Sequence, residues 1–277
     1  PNYNDPETRA VLLLAVEIPC MCVMTLFMAG RFYSRGKRKA LGIDDWVMVL
    51  PWALAVAMSI SNCVATRYGT GYHIWDFKPQ WVAPIGKTAL ITQVLFSPCV
   101  GLTKISVCLT YLRIFPSQKN RRFCYITIIL SAAWAVAMFF ANLFQCVPIQ
   151  AYWDTSIMGA HCINSRITLV VSAALNSLSD VLVFLWPTQY LWNLRLPAKE
   201  RNSLLIGFTL GCIICVAGAC RIWLLEVYFS SYDIFYNGAT LFATAAVESN
   251  LGIICGSLPG VRLLLAHIFP RLFSSSE

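Results

Sequence analysis

Seven long apolar stretches follow one another along the chain, and they constrain its fold more than any other feature of the sequence. A helix needs about 20 predominantly apolar residues to cross the hydrocarbon core of a bilayer. The stretches meet that requirement at residues 10–33, 45–65, 82–115, 123–144, 167–192, 203–228 and 235–264. We therefore predict an all-α membrane protein with a bundle of seven transmembrane helices, forming a single domain over residues 1–277.

The composition supports membrane insertion and argues against nucleic-acid binding. Hydrophobic residues make up 58% of the chain and charged residues only 12%, whereas a soluble domain carries about 25% charged residues. The net charge of +8 lies in the short gaps between apolar stretches and not on one face of a water-soluble fold. We predict a multi-pass protein of the plasma membrane or an endomembrane, with membrane lipid as a partner and no nucleic acid.

The basic residues of the gaps predict the orientation of the bundle. The first gap, counted together with Arg31 at the end of the first span, and the third and fifth gaps are rich in Lys and Arg. The sixth gap has none, and the second and fourth hold only Arg67, Lys78 and Arg166. Short cytosolic loops carry the excess of positive charge. The odd-numbered gaps are therefore expected in the cytosol, which places the N-terminus outside and the C-terminus in the cytosol.

Two of the twelve cysteines lie in or beside the fourth gap, on the side predicted to be oxidising. We predict a disulfide between Cys146 and Cys162, with two free thiols as the alternative. Cys212 and Cys215 form a CxxC inside an apolar span, without a second ligand pair nearby, so we interpret them as small apolar side chains. We expect neither a metal site nor a cofactor.

The most informative residues of the spans are ionisable ones, because a charge near the bilayer centre costs at least about 2.5 to 3.5 kcal/mol. Lys104, Asp180 and Glu248 are nearest the middle, and Glu17, Arg221 and Glu226 lie in the outer half. In one interpretation these groups pair and fix the helix register. The pairs would be Lys104 with Asp180, and Arg221 with either Glu248 or Glu17.

In the other interpretation some of these groups line a cavity that opens to the outer side and binds a ligand or moves a proton. Four acids against two basic residues imply that at least one carboxyl group is protonated or faces water or ligand. Asn176 lies one turn before Asp180, and Asn250 lies two residues after Glu248. The candidate ligand-binding residues of the spans are Lys104, Asn176, Asp180, Arg221, Glu248 and Asn250.

The second gap contains the segment YGTGYH from Tyr68 to His73, followed by Trp75 and Trp81. Its glycines would let the backbone turn tightly, and its aromatic residues could cover a pocket. We include His73 among the candidate ligand-binding residues. The alternative is an ordinary interfacial loop.

Asp44 and Asp45 stand at the start of the second span, where acids cap a helix and interact favourably with its dipole. We interpret them mainly as capping residues. A metal–diphosphate site would need a second acidic cluster at helical spacing, and the sequence has none.

Segments distributed over nearly the whole chain resemble those of the fungal rhodopsin-domain integral membrane proteins. This seven-helix group includes pathogenesis-related receptor-like proteins and members encoded beside mycotoxin biosynthesis genes. The resemblance rests on LGIDDW (41–46), YGTGYH (68–73), KISVCLTYLRIF (104–115), FQCVPIQAYWD (144–154) with Cys162, Asn176 with Asp180, PTQYLWNLRLPAKER (187–201), Arg221, and VESNLGIICGSLPGVR (247–262).

The resemblance implies a receptor-like seven-helix bundle whose intramembrane polar positions are Lys104, Asp180, Arg221 and Glu248. It does not imply retinal, because a Schiff-base pigment customarily uses a lysine in the seventh span and none is present there. It establishes neither a ligand nor a reaction.

Two functions from different classes remain open. The first is a sensor of a small apolar ligand in an outward-facing cavity, whose basic cytosolic loops meet a signalling partner or anionic lipid. The alternative is a membrane-embedded, cofactor-free cyclase or isomerase of secondary metabolism, in which Asp180 or Glu248 would act as catalytic acid on a small apolar substrate. Transport is a weaker third hypothesis, because the sequence shows no internal repeat.

Overall fold

The computed structural model describes residues 7–154, 156–157, 159–186 and 198–268, with side chains described up to 186 and from 207 to 261. Seven helices in this part of the chain are long and apolar enough to cross a membrane. They are α1 (Ala10–Lys37), α2 (Ile43–Thr66), α3 (Val82–Ile114), α4 (Gln118–Leu143), α5 (Ser165–Leu185), α6 (Ala198–Ser230) and α7 (Ile234–Ile268). The prediction of seven spanning helices is confirmed.

The helices differ from the predicted spans mainly at their ends. Helix α1 continues to Lys37, beyond the predicted end at residue 33, so that Arg31, Arg35 and Lys37 lie on the helix and not in a gap. Basic side chains in a last helical turn interact favourably with the helix dipole. The predicted end of the fifth span and most of the segment 187–201 lie outside the described residues.

The helices form a ring in which each packs against its sequence neighbours and α7 closes back onto α1. Helix α3 also contacts α5 and α7, which makes it the central helix. In the most apolar 18-residue stretch of α3 and of α7, 67% of the residues are buried. The corresponding share in α1 and in α4 is 22%. Many polar side chains on α3 and α7 therefore lie in the interior.

The α2–α3 connection lies at the face where α1 begins, here called the amino-terminal face. It is hydrogen-bonded to the starts of α1 and α7. Gly71 adopts a positive φ of 95°, and a Cβ there would lie 2.7 Å from the backbone nitrogen of Ala10. The Gly71 carbonyl accepts from Arg9 N at 2.9 Å, and Gly71 N donates to the Phe235 carbonyl at 3.0 Å. Only glycine tolerates this backbone and this close approach, which fixes the starts of α1 and α7 against the loop.

A two-residue antiparallel ladder closes the α4–α5 connection at the same face. Its strands are β1 (Cys146–Val147) and β2 (His161–Cys162), and Cys146 is paired with Cys162. A disulfide joins these two cysteines, so the predicted bridge is confirmed. The loop lies over the start of α3, where Trp153 fits against Gly86.

Near the opposite end of the bundle, buried charges join four helices. We call Arg31, Arg35, Asp44, Asp45 and Thr110 the carboxy-terminal cluster. Arg31 Nη2 lies 2.8 Å from Asp44 and its Nε lies 2.6 Å from Asp45. Arg35 contacts both carboxylates, and Thr110 of α3 donates to Asp44 at 3.1 Å. Arg31 also donates to a backbone carbonyl of α7, so the cluster connects α1, α2, α3 and α7.

The capping interpretation of Asp44 and Asp45 was therefore incomplete. Asp45 does accept from the Gly42 backbone nitrogen at 2.9 Å, as a capping residue would. The carboxyl group of Asp45 is nevertheless fully buried against Arg31. This role was not predicted, because Arg31 was grouped with the basic residues of the first gap.

Replacing Arg31 with Met should strongly destabilise the protein, because the buried carboxylates of Asp44 and Asp45 lose one of the two arginines that neutralise their charge. Removal of one partner from a buried ion pair typically costs about 3 to 5 kcal/mol. We expect Arg31→Met to lower the thermal unfolding midpoint in detergent micelles by several degrees. Arg113→Met is the matched control, because its side chain is 45% exposed and lies 3.5 Å from Asp44. Equal shifts for the two variants would contradict the central role of Arg31.

Candidate functional site

Five polar residues from four helices meet in the middle of the bundle. We call Lys104 (α3), Asn176 and Asp180 (α5), Arg221 (α6) and Glu248 (α7) the central charge network. All five are buried, and Arg221 is the most exposed at 8%. The structure therefore brings together five of the seven residues predicted to bind a ligand.

Lys104 is surrounded by oxygen atoms of α5. Its Nζ lies 3.2 Å from Asp180 Oδ1 and donates to Asn176 Oδ1 at 2.8 Å and to the Asn176 carbonyl at 2.9 Å. It also donates to the Ser179 hydroxyl. The Trp134 ring lies 5.7 Å from Nζ and covers another side of the ammonium group.

Arg221 forms the second ion pair, with Glu248. Its Nε lies 2.7 Å from Glu248 Oε2, and its Nη2 donates to Oε1 at 3.3 Å. The Nε and Oε2 atoms have no well-directed hydrogen bond, so attraction between charges holds this contact. The Phe96 ring lies 4.4 Å from the guanidinium carbon and orients it.

Asn176 connects the two ion pairs. Its Nδ2 donates to Asp180 Oδ2 at 3.1 Å and to Glu248 Oε1, while its Oδ1 accepts from Lys104. The network contains two basic groups and two acids, so it is balanced in charge. The predicted pairs Lys104–Asp180 and Arg221–Glu248 are both present, and the alternative pairing of Arg221 with Glu17 is not.

A cavity of about 120 Å³ lies directly above the network, toward the amino-terminal face. Its walls come from α3 to α7 and from the α4–α5 loop, and they are mostly apolar. Arg221 is the charged residue that lines it; the lining also includes Phe96, Ser172, Leu225 and Ala245. We call this space the Arg221 cavity.

The α4–α5 loop contributes Tyr152 to the wall of the Arg221 cavity. Its hydroxyl donates to Gln93 Oε1 at 3.3 Å, and burial raises the pKa of this phenol above its ordinary value. Tyr152 therefore stays neutral near pH 7 and acts as a fixed hydrogen-bonding group. The disulfide-closed loop thus forms part of the binding space.

Two of the predicted ligand-binding residues do not join the network. Asn250 is buried, but its Nδ2 donates to the Ala246 carbonyl of its own helix at 2.8 Å. His73 lies at the amino-terminal face, where it contacts Asp233. Its ring stacks between Trp75 and Tyr236, with centroid distances of 4.4 and 3.9 Å. Its contacts attach the α2–α3 loop to the start of α7.

A separate buried carboxyl group belongs to Glu17 of α1. It accepts from Ser59 at 2.7 Å and from Asn62, and Asn62 Oδ1 accepts in turn from Thr92 at 2.9 Å. Thr92 lines the Arg221 cavity. Glu17 was predicted to be a charge within a span. Its partners Ser59 and Asn62 were not predicted, because they are uncharged and nothing in the sequence distinguishes them.

Comparison with known proteins agrees with this architecture. A family model described as the fungal rhodopsin domain matches residues 30–267. A SAT4 family membrane protein of Emericella nidulans is 31% identical over 211 residues, covering 75% of this chain and 53% of that protein.

Two further relatives cover nearly the whole chain. Receptor GIN3 of Arthrobotrys oligospora is 28% identical over 274 residues, covering 95% of this chain and 65% of that protein. Fugralins biosynthesis cluster protein 2 of Gibberella zeae is 27% identical over 273 residues, covering 95% and 68%. The chain therefore spans between about half and two thirds of the length of these relatives.

Neutralising Lys104 alone should cost more stability than neutralising the whole ion pair. Lys104→Met leaves Asp180 buried without its cation, and we expect a loss of about 3 to 5 kcal/mol. In the double variant Lys104→Met/Asp180→Asn, most of this loss should be recovered in thermal unfolding of the purified protein. Arg166→Gln is the control, because both members of the Arg166–Glu226 pair are about half exposed. Additive losses in the double variant would argue against a direct pair.

Proposed function

The chain belongs to the fungal rhodopsin domain family of multi-pass membrane proteins, and from this premise we propose that it is a receptor-like sensor of a small, largely apolar ligand. One observation carries the proposal: the Arg221 cavity is apolar along its walls and has at its base a guanidinium group from the central charge network. Ligand sites are typically concave and apolar with a few well-placed polar groups.

The network gives a physical route from ligand binding to helix movement. A ligand in contact with Arg221 changes the balance of its ion pair with Glu248, and Asn176 connects that pair to Lys104 on α3 and to Asp180 on α5. Four helices therefore respond to a change at one guanidinium group. A binding site coupled to packed helices with alternative arrangements is what a receptor requires.

We further propose that the cavity opens to the outside of the cell or the lumen of an organelle. This orientation is supported by the excess of basic residues in the odd-numbered gaps, which is typical of cytosolic loops. There, the exposed Lys37, Arg38 and Arg113 would meet anionic lipid or a signalling partner.

A second candidate function is a cyclase or isomerase of secondary metabolism. It is favoured by the relatives named after biosynthesis clusters and by two carboxyl groups placed just below the cavity. Against it, Asp180 and Glu248 are engaged by Lys104 and Arg221, and neither lines the cavity among the described residues. A catalytic acid must reach the atom that it protonates, so the receptor function fits the geometry better.

Metabolite profiling of the producing organism distinguishes the two functions. We would compare the intact gene with a deletion and with Asp180→Asn and Glu248→Gln, each confirmed to reach the membrane. A sensor predicts that no single conversion is lost: metabolite structures stay the same, or whole pathways rise and fall together. The control is Glu226→Gln, which makes the same chemical change at a half-exposed position on α6.

Loss of one product with accumulation of an isomeric precursor, in the Asp180 and Glu248 variants but not in Glu226→Gln, would overturn the sensor proposal. Those carboxyl groups would then be candidates for acid–base catalysis.

A further inference from the structure

We infer that the Arg221 cavity selects a neutral molecule with a carbonyl oxygen, such as a ketone, ester or lactone, over carboxylates and amines. This inference rests on the proposed ligand-binding function and specifies the chemistry of its ligand. It follows from the free nitrogen of Arg221, the charge balance of the network and the composition of the cavity wall.

The guanidinium group has one nitrogen that Glu248 does not engage. Its Nε and Nη2 face Glu248 at 2.7 and 3.3 Å, whereas Nη1 has no hydrogen-bond partner among the described residues. The side chain is 90% buried and lines the cavity. Nη1 is therefore a charged donor without a protein partner beside the cavity, and a ligand oxygen can accept a hydrogen bond from it.

The charge balance of the network argues for a neutral acceptor. Arg221 and Lys104 are already matched by Glu248 and Asp180, so a carboxylate would bring an uncompensated negative charge into a buried site. That charge would bind only together with a proton or another cation. A carbonyl oxygen accepts from Nη1 and adds no net charge.

The composition of the cavity wall argues against an amine. Arg221 would repel a protonated amine, and none of the described residues that line the cavity is an acid. The hydroxyls of Ser172 and Tyr228 line the same space and can rotate to donate to a ligand oxygen. The described lining thus offers donors to a carbonyl oxygen but no anionic group that would compensate an ammonium ion.

The size of the cavity limits the ligand to a small body. An apolar cavity of about 150 Å³ accommodates benzene, and the Arg221 cavity measures about 120 Å³. The carbonyl group and a few attached carbon atoms therefore fit beside Arg221, in a space somewhat smaller than one that holds benzene. A larger molecule must extend through the mouth toward the amino-terminal face.

Four probes of the same shape test the inference with the full chain in lipid nanodiscs at neutral pH. They are 4-phenylbutan-2-one, butylbenzene, 3-phenylpropanoate and 4-phenylbutan-2-amine. Binding is measured by equilibrium dialysis, with empty nanodiscs correcting for partition into lipid. We expect the ketone to bind at least about tenfold more tightly than each of the others, as one hydrogen bond to a charged donor allows.

Two variants separate the role of the carbonyl from the role of the cavity. Arg221→Lys keeps the positive charge beside Glu248 but removes the free Nη1, and it should weaken ketone binding about tenfold while leaving butylbenzene unchanged. Leu169→Trp fills the cavity and should weaken all binding. Leu175→Trp is its control, because Leu175 lies on the same helix and is 51% exposed on the outer surface of the bundle.

A spectroscopic signature tests the same hydrogen bond without any variant. With ¹³C at its carbonyl, bound 4-phenylbutan-2-one should show a lower stretching frequency than the ketone in lipid, because hydrogen bonding weakens the C=O bond. An unshifted frequency would overturn the inference even if Arg221→Lys failed to fold.

The outcomes distinguish this inference from the function on which it rests. If Leu169→Trp abolishes binding but ketone and hydrocarbon bind equally, or the carboxylate binds best, the carbonyl preference is wrong and the cavity remains a binding site. If no probe saturates, or Leu169→Trp changes nothing, the cavity is not the site and the proposed function fails with the inference.

Discussion

The structure depends most on the two ion pairs that Asn176 holds together at the centre of the bundle. Lys104–Asp180 and Arg221–Glu248 bring four charges to the middle of the membrane, where a single unpaired charge would be costly. Each charge is compensated by a group on another helix, so the positions of α3, α5, α6 and α7 are interdependent. The Arg221 cavity lies where these four helices separate above the network.

The carboxy-terminal cluster imposes the same constraint on the other side of the ring. Arg31 and Arg35 of α1 meet Asp44 and Asp45 of α2, again two basic groups against two acids. Helices α3 and α7 take part in both polar clusters, through Lys104 and Thr110 on α3 and through Glu248 and the Gly256 carbonyl on α7. The two polar clusters are therefore connected through the same two helices.

Much of this architecture was predictable from the sequence, and the failures are instructive. The spans and the disulfide between Cys146 and Cys162 were expected and are present. The pairing of Lys104 with Asp180 was one of two interpretations of these charges, and it is also present. His73 was expected in the ligand site, but its partner Asp233 lies 160 positions away at the start of α7. Arg31 was counted as a loop residue because basic side chains near a span end usually lie at the interface. The tertiary structure shows that Arg31 is instead buried against Asp44 and Asp45 of α2.

The sequence by itself determined that the chain crosses the membrane seven times and which side chains are charged within the spans. These properties are local, because a stretch of about 20 apolar residues partitions into lipid whatever its neighbours are. Only the tertiary structure decided that Arg221 pairs with Glu248 and not with Glu17, and that a cavity lies beside that guanidinium group. Those outcomes depend on which helices are adjacent and how each is rotated, and both are set by packing across the whole ring.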